Sequence, residues 1–182
     1  RVFLACYDAS GRRIGHAMFR ELRCDPVGFG PASVSEPVVD PETDAICDAF
    51  LRSIGYSGIC EIEVKWDSRD GRSGGGDAAP YDGADLCWLH YLDLIGQPVS
   101  PVLPAGNDFR HVVLRADATA VPAYLAAGII SWADVARSYR RPLAFYDLDG
   151  RDLRSSIETL LVATRSFLRS IASQMSRRGS RT

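Results

Sequence analysis

Ile59-Cys60-Glu61-Ile62-Glu63-Val64-Lys65-Trp66 is the strongest strand pattern in this sequence of 182 residues, and the fold can be worked out from it. Successive side chains of a β-strand point to opposite faces, so the apolar residues at the even positions share one face. The three charged residues, Glu61, Glu63 and Lys65, share the other. Charged groups on one face of an apolar strand are costly unless that face meets water, a metal ion or a ligand. We therefore predict a strand whose apolar face packs against the preceding helix.

Before this strand the sequence predicts a β-hairpin and a helix. Val2–Tyr7 is an apolar run followed by turn residues, and a second strand over Ile14–Leu22 then closes the hairpin. Pro41 begins a helix that continues through Ile54, and Gly55 ends it. The apolar residues that share one face of this helix are Ala45, Ile46, Ala49, Phe50 and Ile54.

After this strand the pattern is interrupted and then becomes mostly helical. Asp67–Gly71 is typical of a hairpin turn, and Arg72 is expected to begin a return strand. Ser73-Gly74-Gly75-Gly76 follows instead, and it is too flexible for a strand. Either the hairpin has one arm, or about one strand's worth of residues, roughly 5–10, is missing. The other predicted elements are the strands Ser33–Val39, Phe109–Leu114 and Leu143–Tyr146, and the helices Ala84–Ile95, Val121–Ala127, Ser131–Tyr139 and Leu153–Met175.

Composition excludes several classes of protein. The formal net charge is −2 and 46% of the residues are hydrophobic, which excludes a disordered chain and a polycation that would bind nucleic acid. No apolar run is long enough to span a membrane. Five cysteines, an odd number at wide spacing, fit a reducing compartment, so we expect a cytoplasmic protein. Because the sequence begins directly with an apolar run, we expect it to be a piece of a longer chain.

Three segments together carry a family resemblance. The first is Arg20-Glu21-Leu22-Arg23, followed by Pro26 and Phe29-Gly30. The second, and the most specific, is Gly55-Tyr56-Ser57-Gly58, then Glu61 to Asp67, then Asp70-Gly71. The third is Ala84-Asp85-Leu86 through Gly96. In this order they resemble the C-terminal part of the ATP-grasp superfamily, in its carboxylate–amine ligase branch. The resemblance covers Val2–Gly96 and implies an α+β fold in which helices flank an antiparallel sheet.

This resemblance implies chemistry on ATP with Mg²⁺, or with Mn²⁺ in its place. ATP-grasp ligases transfer the terminal phosphoryl group of ATP to a carboxylate, and an amine then displaces phosphate from the acyl phosphate. We therefore expect an ADP-forming ligase that joins a small carboxylic acid to an amine. Its partners would be these small molecules, with no nucleic acid and no membrane.

The resemblance also assigns roles to single residues. Glu63 falls on the first metal-binding glutamate of the family, and Arg23 falls where the family places a catalytic cation. Lys65 and Gly75 are assigned to the nucleotide, and Gly30, Ser33 and Gly74 to the substrate. Each has a plainer alternative. Glu63 can be a solvated glutamate on an edge strand, Arg23 an exposed surface arginine, Lys65 one half of a surface ion pair, and the glycine run a flexible linker.

The sequence also departs from the family. The second metal-binding glutamate, its partner asparagine and an arginine just beyond are expected after Arg72, and none of them is there. The chain as written is therefore expected to be incomplete for catalysis. A second hypothesis follows, a degenerate ATP-grasp-like module that binds without turnover. A third treats the resemblance as accidental, with two lobes joined near Ser100–Gly106 in a structural role. A structure that lacks an antiparallel sheet around Glu63 would favour the third.

Three parts of the chain are predicted. Residues 1–97 form an incomplete ATP-grasp C-terminal subdomain, residues 98–175 a small, mostly helical α/β extension, and residues 176–182 a frayed basic tail. The resemblance fades after Pro98. The extension therefore either shapes the substrate pocket or forms a dimer surface, which leaves a possible homodimer.

Overall fold

The computed structural model describes residues 1–64, 85–102 and 109–179, and these residues form an α+β fold. Trp66, which the sequence placed in the strand, lies outside the described residues, as do the predicted Asp67–Gly71 turn and the glycine run. The elements in chain order are β1 (Val2–Tyr7), β2 (Arg13–Cys24), β3 (Ala32–Pro37), α1 (Pro41–Ser53), β4 (Gly58–Glu63), α2 (Leu86–Leu94), β5 (Arg110–Val112), α3 (Leu114–Ala126), α4 (Trp132–Ser138), β6 (Leu143–Phe145) and α5 (Leu153–Gly179).

The chain divides into two compact units. The first contains Arg1–Arg20 and Pro37–Asn107, and the second contains Glu21–Glu36 and Asp108–Thr182. The domains predicted from the sequence are continuous stretches, whereas the second unit takes Glu21–Glu36 from the first of them. Glu21–Glu36 holds the end of β2 and most of β3, whose partners come from far along the chain.

In the first unit β1 is the central strand of an antiparallel arrangement, in the order β4-β1-β2. Val2 is opposite Phe19 on β2 and opposite Glu63 on β4. The side chains of β1 alternate between two apolar clusters, one on each face. Leu4 and Cys6 pack with Leu86 and Leu89 of α2. The predicted hairpin and the predicted strand around Glu63 are both present.

The other face of this sheet is covered by α1. Phe3, Ala5 and Tyr7 of β1 form a cluster with Cys47 and Leu51 of α1. Cys60 and Ile62 of β4, with Val64 just beyond it, pack against the same cluster. The prediction that the apolar face of this strand meets the preceding helix is therefore confirmed for its described residues.

The apolar face that the spacing identifies on α1 is not the face that packs against the sheet. Thr43, Cys47 and Leu51 are buried, whereas Ile46, Phe50 and Ile54 are between 53% and 58% exposed. Spacing alone cannot separate these two stripes, because both repeat every four residues. Polar contacts of α1 fix its rotation, since Asp44 and Asp48 turn toward Arg13 and Tyr7 of the sheet.

The second unit contains the strands in the order β3-β5-β6. β3 and β5 are antiparallel, with Val34 opposite Val112, and β5 and β6 are parallel. α5 packs along α3. The expected purely antiparallel sheet is therefore a mixed arrangement in this part of the chain.

α3 is longer than the sequence predicted. It begins at Leu114 rather than at Val121 and continues through Pro122. Its first backbone amides are capped from a distance, because the N–H groups of Leu114 and Arg115 donate to the two carboxylate oxygens of Asp147 at 2.9 Å each. A cap 33 residues away leaves no local signal in the sequence. The predicted start of α4 is confirmed, since Ser131 and Asp134 form a capping box.

Among the helices that the structure describes, none combines the length and the apolar character needed to cross a membrane.

The rotation of α1 leads to a test on two neighbouring residues. We expect Leu51→Ala to lower the free energy of unfolding by about 2–5 kcal/mol, because Leu51 is 3% exposed in the apolar cluster. We expect Phe50→Ala, at a position 55% exposed, to change it by about 0.5 kcal/mol or less. Urea unfolding of both variants measures the difference, and equal losses would contradict this placement of the helix.

Candidate functional site

Glu63 is the last residue of β4, and the strands of the first unit hold its backbone firmly. Its neighbour in the ladder is Val2, and the next residue, Val64, donates its N–H to the carbonyl of Arg1 at 2.7 Å. Because Cys60, Ile62 and Val64 face α1, alternation turns Glu61 and Glu63 toward the opposite face, where Ile59 packs with the α2 cluster. Glu63 is half-buried there.

The chemistry of Glu63 fits a hard cation. Mg²⁺ prefers carboxylate oxygens and commonly takes one or two of them, with water and substrate phosphates completing its coordination. A carboxylate on a hydrogen-bonded strand meets that need with little reorganisation. Within residues 1–64, 85–102 and 109–179, no hydrogen bond or ion pair engages the Glu63 side chain, and no three His, Cys, Asp or Glu side chains converge as a metal-binding group.

Lys65, Gly74 and Gly75 lie outside the described residues, so the assignments to the nucleotide, and that of Gly74 to the substrate, stay predictions. Of the residues assigned by resemblance, the structure places Glu63 in the first unit and Arg23, Gly30 and Ser33 in the second.

Arg23 lies in the interior of the second unit, where its guanidinium binds Asp117 of α3. Its Nε and Nη2 atoms donate to the two oxygens of Asp117, each at 2.8 Å, and its Nη1 donates to Ser138 Oγ at 2.9 Å. Arg23 is 3% exposed and Asp117 is 1% exposed. The exposed surface arginine that the sequence left as an alternative is therefore not found. A catalytic role stays a prediction, and the ion pair already accounts for the residue.

Tyr139 completes this buried group. Its hydroxyl donates to Asp117, and its ring lies 5.6 Å from the Arg23 guanidinium carbon. Burial opposes the charge on Arg23, but the hydrogen bonds and charge of Asp117 outweigh it and raise the pKa of Arg23. Burial, with the negative charge of Asp117 nearby, raises the pKa of the Tyr139 phenol. Arg23 is therefore held charged, with Tyr139 neutral beside it.

Ser33 and Gly30 belong to the same neighbourhood. Ser33 is 1% exposed, and its hydroxyl donates to Asp117 at 2.8 Å. Gly30 has a φ of 113°, and a Cβ there would come within 2.6 Å of the Asp25 carbonyl oxygen. Gly30 is thus explained by the packing of the loop between β2 and β3, and Ser33 by its hydrogen bond to Asp117. Their assignment to substrate binding remains a prediction.

A second ion pair of the same unit has a buried carboxylate and a half-buried arginine. Glu36 of β3 is 4% exposed and accepts hydrogen bonds from Arg110 of β5 at 2.9 Å. Arg110 also donates to the carbonyl of Arg137, at the end of α4. Two of the buried polar side chains of β3, those of Ser33 and Glu36, therefore bind residues more than 70 positions away in sequence.

A third polar group joins α1 to the sheet of the first unit. The Tyr7 hydroxyl donates to Asp48 at 2.6 Å, and Arg13 binds Asp44 through two nitrogens, at 2.6 and 3.2 Å. His16 Nε2 lies 3.4 Å from the same Asp44. Burial and the charge of Arg13 lower the pKa of His16, so its neutral form is favoured. Charges of opposite sign are paired in this group. Its role is therefore to hold α1 against the sheet.

No family model, no curated protein and no solved structure matches this chain.

Sequence reasoning missed Asp117, Glu36 and Tyr139. The predicted helix began at Val121, so Asp117 fell in the segment before it. An aspartate in such a segment is expected to be a solvated loop residue. Its partner Arg23 is 94 positions away. The available signal was the polar content of β3, because Ser33, Ser35 and Glu36 require hydrogen-bond partners if the strand is buried.

Asp117→Asn tests whether this carboxylate holds the second unit together. We expect the free energy of unfolding to fall by about 3–5 kcal/mol, because the nearly isosteric amide leaves Arg23 buried without a counter-charge. Glu42→Gln, at an exposed position in the first turn of α1, is the matched control and should cost about 1 kcal/mol or less.

Adding Arg23→Met to Asp117→Asn should recover part of the loss, since the unpaired buried charge is then removed. Chemical unfolding measures all of these variants. An Asp117→Asn protein as stable as the Glu42→Gln protein would contradict the proposed importance of the pair.

Proposed function

We propose that this chain contributes the metal-binding strand of an ATP-dependent, ADP-forming ligase that joins a small carboxylic acid to an amine. The observation that carries the proposal is the position of Glu63. It ends a strand paired antiparallel with the central strand of a sheet packed on both faces by helices, and it is preceded by the Gly55–Gly58 motif. That is the setting in which the resemblance expects the first metal-binding glutamate.

Mg²⁺ held between Glu63 and the phosphates of ATP would supply charge neutralisation for phosphoryl transfer. The chain's own contribution is to fix the carboxylate. Cys60, Ile62 and Val64 pack against α1, and this packing sets the rotation of β4 about its own axis. The register between β4 and β1 sets the position of Glu63 along the strand. Lys65 is proposed to bind an anionic group of the nucleotide.

A degenerate ATP-grasp-like module that binds nucleotide without turnover is the second candidate. The observation in its favour is the sequestration of Arg23. A guanidinium that is 3% exposed and bound to Asp117 and Ser138 is unsuited to contact a transferred phosphoryl group without local rearrangement. The two candidates share the Glu63 site and differ in whether an acyl phosphate is formed.

Glu63→Gln tests the metal site that both candidates share. We expect it to weaken binding of Mn²⁺ in the presence of ATP by about tenfold or more, because an amide is a poorer ligand for a hard cation than a carboxylate. Glu61→Gln, two residues earlier on the same face of the same strand, removes an equal charge and is the matched control. Electron paramagnetic resonance of unbound Mn²⁺ gives the affinities.

The same samples separate the two candidates. The wild-type protein is incubated with Mg²⁺, ATP, pooled carboxylic acids and hydroxylamine, which traps an acyl phosphate as a hydroxamate. Hydroxamate with ADP, lost in Glu63→Gln, supports the ligase. Metal–nucleotide binding without hydroxamate supports the binding module. Equal Mn²⁺ affinities for the Glu63→Gln and Glu61→Gln proteins would contradict the proposed site itself.

A further inference from the structure

His16 of β2 lies where α1 meets the sheet of the first unit. Its side chain is 11% exposed, and its Nε2 atom lies 3.4 Å from Oδ1 of Asp44 on α1. The centre of its ring is 6.3 Å from that of Phe3, which belongs to the apolar cluster between α1 and the sheet. The imidazole therefore lies within the interface that holds α1 on the sheet, and a change in its charge acts on that interface.

The two carboxylates of α1 near this imidazole already accept hydrogen bonds at all four of their oxygens. Arg13 donates to both oxygens of Asp44, at 2.6 and 3.2 Å. Tyr7 and Arg52 each donate to one oxygen of Asp48, at 2.6 and 2.7 Å. A second cation at the imidazole would therefore compete with the Arg13 guanidinium for Oδ1 of Asp44.

The charges of this interface balance while the imidazole is neutral. Arg13 and Arg52 carry two positive charges, and Asp44 and Asp48 carry two negative charges. A proton on the imidazole leaves the group with one excess positive charge, close to the Arg13 guanidinium. An ion that is partly removed from water and has no counter-charge of its own is costly, so this proton opposes the docking of α1.

The titratable side chains of the apolar cluster between α1 and the sheet are Tyr7, Cys47 and Cys60, and they carry no charge near neutral pH. Burial raises the pKa of the Tyr7 phenol, and it raises the pKa of the two thiols to about 11. Burial also raises the pKa of Asp48, but the hydrogen bonds to its oxygens outweigh this effect and lower the pKa. Among these described groups, His16 is the one whose ordinary pKa, about 6.5, lies in the mildly acidic range.

We propose that His16 is a pH switch for the docking of α1, which stays on the sheet while the imidazole is neutral and opens more readily when the imidazole gains a proton. Burial and the charge of Arg13 lower the pKa of His16 in the docked state, so the proton binds more tightly once α1 has left. Docking is therefore strongest above about pH 6.5 and weakens as the pH falls below this value. Opening uncovers the apolar cluster of α1, β1 and β4. This inference does not depend on the proposed ligase activity.

Hydrogen exchange of the purified chain, read by mass spectrometry, tests the switch. The protection of the α1 amides is compared at pH 7.5 and pH 5.0 after correction for the intrinsic exchange rate. The α2 amides are the internal reference, because α2 covers the opposite face of the same sheet. We expect the protection of α1 to fall by about threefold or more at the lower pH, and that of α2 to change less. Unchanged protection of α1, or an equal loss in both helices from unfolding of the whole unit, would overturn the proposal.

Two variants assign the response to one side chain. His16→Gln keeps a polar side chain that cannot gain a charge, so the protection of α1 should be the same at both pH values. His111→Gln removes a histidine of β5 in the second unit and is the matched control, which should respond as the wild-type chain does. Circular dichroism at pH 7.5 verifies that both variants fold. A response that persists in His16→Gln would contradict the proposal, and the wild-type comparison tests it without any variant.

Discussion

The carboxylate of Asp117 is the constraint on which the second unit depends. It is 1% exposed, and it accepts hydrogen bonds from Arg23 of β2, Ser33 of β3 and Tyr139 at the end of α4. Three segments that are distant in sequence thus converge on one side chain of α3. A buried ion pair of this kind adds little net stability over a well-packed apolar contact, yet removing one partner is expensive. The main effect of the pair is therefore to specify that β2, β3 and the end of α4 pack against α3.

The first unit is organised differently. Its two apolar clusters follow from the alternation of β1, and polar contacts of Asp44 and Asp48 fix the rotation of α1. Glu63 differs from the other carboxylates discussed because the described residues leave its side chain without an ion pair. This contrast explains why the functional proposal rests on Glu63, whereas Arg23, Ser33 and Gly30 are accounted for by packing.

Elements whose signals are local could be predicted from the sequence. β1 was predicted with its observed bounds, α4 was predicted from Ser131 and Asp134, and the apolar face of β4 was assigned correctly. Features set by distant partners could not be predicted. The start of α3 depends on Asp147, the burial of Arg23 depends on Asp117, and the rotation of α1 depends on Arg13 and Tyr7. In each case the deciding contact joins residues more than 30 positions apart.

The most direct test of the functional account is the position of a bound metal ion. Crystals grown with Mn²⁺ and a non-hydrolysable ATP analogue would give an anomalous signal at the ion, independent of any assay. The account predicts an anomalous peak about 2.0–2.2 Å from a carboxylate oxygen of Glu63, with the phosphates of the analogue on the other side of the ion. A nucleotide bound with its Mn²⁺ ligated by other residues, or no ordered nucleotide at all beside Glu63, would contradict it.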